Sequence, residues 1–138
     1  MPSYGTYRAN QLRNWTRIEM LLALYDAAID RIEQAQQAFS QQRPTEARRL
    51  LLRAERIVVE LLAGLAADGS ELTSNLRKLY LYVLDALARE TEHDMEAAAH
   101  VLRTLKEGWE RIAPEAIEKE RRGEIPPVAD TKQIELSA

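Results

Sequence analysis

An all-α fold follows from three features of the 138-residue sequence. Apolar residues recur three and four apart along four separate stretches, and strand signals such as β-branched alternation or Asn-Gly turns are absent. Of the five prolines, four lie outside the span from Ser3 to Glu110, and the fifth, Pro44, stands at a helix boundary. Four long amphipathic helices joined by short turns pack as antiparallel neighbours, so the expected architecture is an up-down-up-down four-helix bundle. The chain is long enough for one domain with a core of its own. It divides into an N-terminal arm (residues 1–14), the bundle (15–113), and a short helix with a disordered tail (114–138).

The arm carries Tyr4 and Tyr7 but no sustained apolar period. A helix start follows: Thr16 can cap, Glu19 completes a capping box with it, and Trp15 can staple onto Met20 across the first turn. From there Ile18, Leu21, Leu22, Tyr25, Ala28, Ile29, Ile32 and Phe39 keep one face until Pro44 enforces a break. Gln36 interrupts that face and Ala35 lies at its edge, so the last turns should be the least securely packed. The spacing predicts a first helix of about 23 residues, roughly 35 Å long.

Thr45 opens the second helix, with Ala47, Leu50, Leu51, Ala54, Ile57, Val58, Leu61, Leu62 and Leu65 on its core side. Leu52, Val59, Ala63 and Ala66 line up on the opposite flank. The third helix, capped by Ser70 or Asp68, places Leu72, Leu76, Leu79, Val83, Ala86 and Leu87 inward. Tyr80, Leu81 and Leu84 do not join that set; they project to the flank and far side, among Ser74, Arg77 and Asp85. The fourth helix, capped by Thr91 or Asp94, has a single seam of Met95, Ala98, Leu102, Leu105, Trp109 and Ile112. Pro114 should end it, leaving a separate short helix from Glu115 to Arg122.

Composition narrows the function. The chain has no cysteine, which removes disulfides and thiolate sites, and its net charge of −3 is spread along the sequence without a basic field for nucleic acid. No apolar run suits a secretory signal or a membrane span, so the expected location is the cytoplasm. A di-iron bundle needs two Glu-x-x-His pairs; here there is one, Glu90 and His93, at a predicted surface turn. No phosphate loop, nucleophile elbow or inward carboxylate pair occurs, so neither metal, cofactor nor catalytic residues are expected. What remains is interaction through the surplus apolar stripes of the second and third helices. Either a partner segment lies in a groove there, or a second copy of the chain buries the same stripes as a homo-oligomer.

Several strings, in order, resemble the FliS family, the flagellin-specific export chaperones of bacterial flagellar type III secretion. Tyr4 and Tyr7 match the family's arm tyrosines. Ala23-Leu24-Tyr25-Asp26-Ala27-Ala28-Ile29 matches its Met-Leu-Tyr-Asp-Gly-Ala-Ile run, and Glu71-Leu72-Thr73-Ser74-Asn75-Leu76-Arg77-Lys78-Leu79-Tyr80-Leu81-Tyr82 matches its Glu-Ile-x-x-Asn-Leu-x-x-Leu-Tyr-x-Tyr. Asp94-Met95-Glu96-Ala97 and Leu105-Lys106-Glu107-Gly108-Trp109 resemble the fourth helix with its late Trp. Departures include Ala27 for the family's Gly, Thr16-Arg17 for its Ser-Pro, and Gly69 alone for a glycine pair.

The resemblance implies a monomer or weak oligomer that binds the C-terminal segment of flagellin, prevents its premature polymerisation and helps deliver it to the export gate. It also implies that the tyrosine arm covers part of the binding surface in the free protein. By residue, it carries Tyr4, Tyr7, Asn75, Tyr80 and Tyr82 over as partner-binding positions. The helical projection adds Leu52, Val59, Leu81 and Leu84.

Overall fold

Helix α1 (Arg17–Ser40) begins where its capping residues dictate. In the computed structural model, which describes residues 15–124, the Glu19 amide donates to Thr16 Oγ1 at 3.3 Å and the Thr16 amide donates to Glu19 Oε1 at 3.1 Å. Two of the donors that a helix start leaves without partners are thus satisfied reciprocally. Thr16 is itself buried, so Thr16→Ala is expected to cost about 1 kcal/mol, read as a fall in Tm of about 4 °C by circular dichroism.

Helix α2 (Pro44–Ala63) starts with Pro44 in the first turn, where a missing N–H costs no hydrogen bond. Helix α3 (Glu71–Arg89) is capped by Ser70, whose hydroxyl accepts from the Thr73 amide at 3.1 Å. Helix α4 (Glu92–Arg121) is capped by Thr91, which accepts from the Asp94 amide at 3.0 Å. The connections are short, residues 41–43, 64–70 and 90–91, so consecutive helices run antiparallel. Contacts close a ring: α1 packs on α2, α2 on α3, α3 on α4 and α4 back on α1. This is the expected all-α, up-down four-helix bundle.

Much of the core is alanine, including Ala28, Ala35, Ala54, Ala86 and Ala98, which lets the backbones approach and leaves the middle to larger side chains. Two of these are tyrosines on diagonally opposed helices, Tyr25 of α1 and Tyr80 of α3. Their hydroxyls meet at 2.5 Å and their rings are tilted by 54°. The expected surface position of Tyr80 is therefore corrected: it is 1% exposed. The reason lies in the orientation of α3. Its innermost line is Thr73, Tyr80 and Leu87, each seven residues apart and buried. Leu72, expected inward, is 61% exposed, and Leu79 is only partly buried.

Other expectations are also revised. Ala35 and Ala38 are buried, and Gln36 donates to Glu96 Oε2 of α4 at 2.9 Å, so the last turns of α1 are packed and tied across the bundle. Ile112, expected in the α4 seam, is half exposed. Pro114 does not end α4, which continues to Arg121. A proline inside a helix forfeits one hydrogen bond and crowds the carbonyl four residues back. Tertiary contacts on either side of it compensate. Ala113 is buried, and the Glu120 carboxylate accepts from the Arg17 amide at 3.1 and 3.2 Å, completing the start of α1 from the far end of α4.

Candidate functional site

The outward sides of α2 and α3 hold most of the large exposed apolar side chains among the described residues. Leu52 and Val59 of α2 and Leu81 of α3 are each at least half exposed, as the projection predicts. Asn75 and Tyr82 are exposed as well. Leu84 is half-buried and packs on the core, so it belongs to the wall of this surface rather than to its outermost part. Tyr80 belongs to the core. Tyr4 and Tyr7 lie outside the described residues.

The helical repeat separates these residues into two flanks of α3. Asn75 and Tyr82, seven apart, share one; Ser74, Arg77, Leu81 and Ala88 share the other, about 100° round the helix. The second flank begins beside the α2–α3 connection. At its start a shallow depression brings Ala66 and Ala67 of the α2–α3 connection beside Ser70, Thr73, Ser74 and Arg77. Leu81 and Leu84 continue that line one and two turns on from Arg77. The seven expected residues that are described therefore do not form one patch: Leu52 and Val59 lie on the exposed side of α2, Leu81 and Leu84 on one flank of α3, Asn75 and Tyr82 on its other flank, and Tyr80 in the core.

The opposite side of the bundle is polar. Lys106 pairs with Asp26, Arg103 with Glu33 at 3.5 Å and with Glu96 at 2.9 Å, so ionic contacts cover the α1 and α4 seam. On α2 the balance is basic. Arg48 reaches Glu90 at 3.2 Å and Arg49 reaches both oxygens of Glu46 at 2.8 Å, whereas Arg53 and Arg56 have no carboxylate within 4 Å among the described residues. Glu90, which sequence spacing pairs with His93, instead ends α3 in a left-handed conformation with φ of 55° and is held by Arg48.

Glu55, one turn from both Leu52 and Val59, is partly buried. Burial holds its carboxyl above the usual range, and the nearby Glu90 carboxylate adds to the effect. A carboxyl raised on folding disfavours the native state above its folded pKa, and that penalty vanishes below the unfolded value, near pH 4. Glu55→Gln is therefore expected to raise Tm at pH 7, with the gain fading as the pH approaches 4. A pair of thermal melts at the two pH values checks this.

Beneath the surface, burial pushes the Tyr80 hydroxyl well above the usual phenol range and raises the Tyr25 hydroxyl too, so both remain protonated. The buried indole N–H of Trp109 lies near the Tyr25 hydroxyl and has no hydrogen-bond partner among the described residues. The trio crosses the interior from α1 to α3 and α4, and it organises packing rather than chemistry. Among the described residues no group of three or more His, Cys, Asp or Glu side chains is placed to hold a metal ion, and no helix is long and apolar enough to cross a membrane.

Sequence periodicity found Leu52, Val59 and Leu81 because an apolar residue opposite a core stripe stands out. It missed the inward place of Tyr80 because Thr73 and Tyr80 are polar members of an otherwise apolar line. Their seven-residue spacing to Leu87 was the available signal. The exposure of Leu72 and Ile112 has no local sequence signature, since both are spaced like core residues.

Comparison with known proteins adds an independent finding. A family model described as flagellar protein FliS matches residues 1–116. No curated protein matches the chain.

Proposed function

Since this chain belongs to the FliS family of flagellar export chaperones, we propose that it binds the C-terminal segment of flagellin in the cytoplasm, prevents its premature polymerisation and assists its delivery to the export apparatus. The role is non-enzymatic. It consists of holding a disordered segment until a later step takes it over.

The observation that carries this reading is the exposed apolar line of Leu52, Val59 and Leu81 on a bundle whose opposite seam is ionic. Large apolar side chains grouped on one side of a small domain mark a surface for another chain. A segment that folds on binding gains by laying apolar turns against such a ready surface, which offsets the entropy it loses. Tyr4 and Tyr7 would add contacts through the arm, and Asn75 and Tyr82 would offer a second, separate contact on the far flank of α3.

Light scattering on the purified chain, alone and with a flagellin C-terminal segment, tests the proposal. The expected result is a monomer that becomes a one-to-one complex. An obligate dimer that refuses the segment would overturn it in favour of a self-associating helical module.

A further inference from the structure

The exposed face of α2 carries two parallel rows. One is apolar, Leu52, Val59 and Ala63, with spacings of seven and four; the other is Arg49, Arg53 and Arg56, with spacings of four and three. All six side chains are exposed. Arg49 is occupied by Glu46, but Arg53 and Arg56 have no carboxylate within 4 Å among the described residues, and Glu60 alone closes the row with a negative charge. Two unpaired guanidinium groups beside an apolar line define the chemistry of what can lie there.

Building on the client reading above, we propose that the segment docked on α2 is an amphipathic helix with carboxylates flanking its apolar anchors, those carboxylates pairing with Arg53 and Arg56. Charge selects this occupant over the alternatives. A second copy packed about a two-fold axis on α2 would set the same face against itself and bring the arginine rows together, Arg56 nearest the centre. An extended anionic surface such as a lipid bilayer would also meet the carboxylates elsewhere on a chain whose net charge is −3. A single acidic helix touches α2 and avoids them. Because both arginines are exposed, their contribution falls mainly on association rate and salt dependence, while the apolar row supplies contact area.

The test uses the full chain and the Arg53→Glu/Arg56→Glu double variant, which should melt like the parent because neither arginine supports the fold. The probes are a flagellin C-terminal segment and two synthetic helices of about 18 residues, with Leu at i and i+7 flanked by Glu in one and by Lys in the other. The parent is expected to bind the Glu helix and not the Lys helix, and the double variant to reverse that preference. For the flagellin segment, the double variant should weaken binding about tenfold at low salt, with a deficit that shrinks as NaCl rises.

If the parent does not distinguish the two helices, or the double variant keeps the parent's preference, the inference is wrong. It also fails if the flagellin segment binds both proteins equally at every salt concentration, a result that leaves the client reading standing. Binding of the Glu helix through Arg53 and Arg56 without binding of flagellin would support the inference and remove flagellin as the client. A dimer dissolved by the double substitution would replace it with self-association. Sedimentation with phosphatidylserine vesicles in preference to the Glu helix would replace it with membrane contact.

Discussion

Tyr80→Ala is expected to lower the unfolding free energy by about 3–5 kcal/mol, the range for removing a large buried aromatic ring. Set against the 5–15 kcal/mol typical of a whole domain, the loss should bring the variant close to unfolding at 37 °C. Two terms combine: the ring is fully enclosed, and among the described residues its hydroxyl is the one hydrogen-bond partner of the Tyr25 hydroxyl on the opposite helix. Tyr80→Phe separates them. It keeps the ring and strands a buried hydroxyl, which should cost about 1–3 kcal/mol. Replacing both tyrosines by phenylalanine removes the unmatched group as well, so the double variant should be more stable than the sum of the single changes predicts. Urea denaturation of the four proteins measures the cycle. A Tyr80→Ala protein that unfolds like the parent but no longer binds flagellin would return Tyr80 to the surface.

The second large effect is a contrast between neighbours. Leu81 is 50% exposed and Val83, two residues on, is fully enclosed. Leu81→Asp should leave stability within about 0.5 kcal/mol, as exposed substitutions do. It should also weaken the flagellin segment at least tenfold, because a large apolar contact is worth about 1.5–3 kcal/mol and each 1.4 kcal/mol is about tenfold in affinity. Val83→Asp places an unpaired carboxylate in the core and should abolish the helical melt. Circular dichroism and calorimetric titration of both variants decide the matter. Loss of helix in Leu81→Asp would show that its side chain belongs to the core.

The contrast also shows where sequence reading succeeds. The four long helices, their order and three of their starts were legible because they depend on residues within one turn of each other: Thr16 with Glu19, Ser70 with Thr73, Thr91 with Asp94. Leu52, Val59 and Leu81 were legible as exposed because each interrupts a polar face on its own helix. Tyr80 was not, because a tyrosine fits either side of a helix and only a partner for its hydroxyl makes burial tolerable. That partner lies 55 positions away on α1.

The continuation of α4 past Pro114 has the same character. Locally, proline argues for a stop, and the expected separate helix from Glu115 to Arg122 follows from that rule alone. The helix persists because Glu120 reaches the first amide of α1, a contact 103 positions apart in the chain.

By itself, then, the sequence determined the all-α class, the four long helices and the caps of three of them, and an excess of apolar surface on the second and third. These rest on interactions whose partners sit three, four or seven residues apart, so the periodic pattern records them. The tertiary structure alone decided how far each helix is rotated about its axis and which polar groups meet inside. Rotation of α3 put Thr73 and Tyr80 inward, left Leu72 in solvent and set Leu81 apart from Tyr82. A rotation of a few tens of degrees changes no local hydrogen bond; it is selected by what the opposing helices can accept.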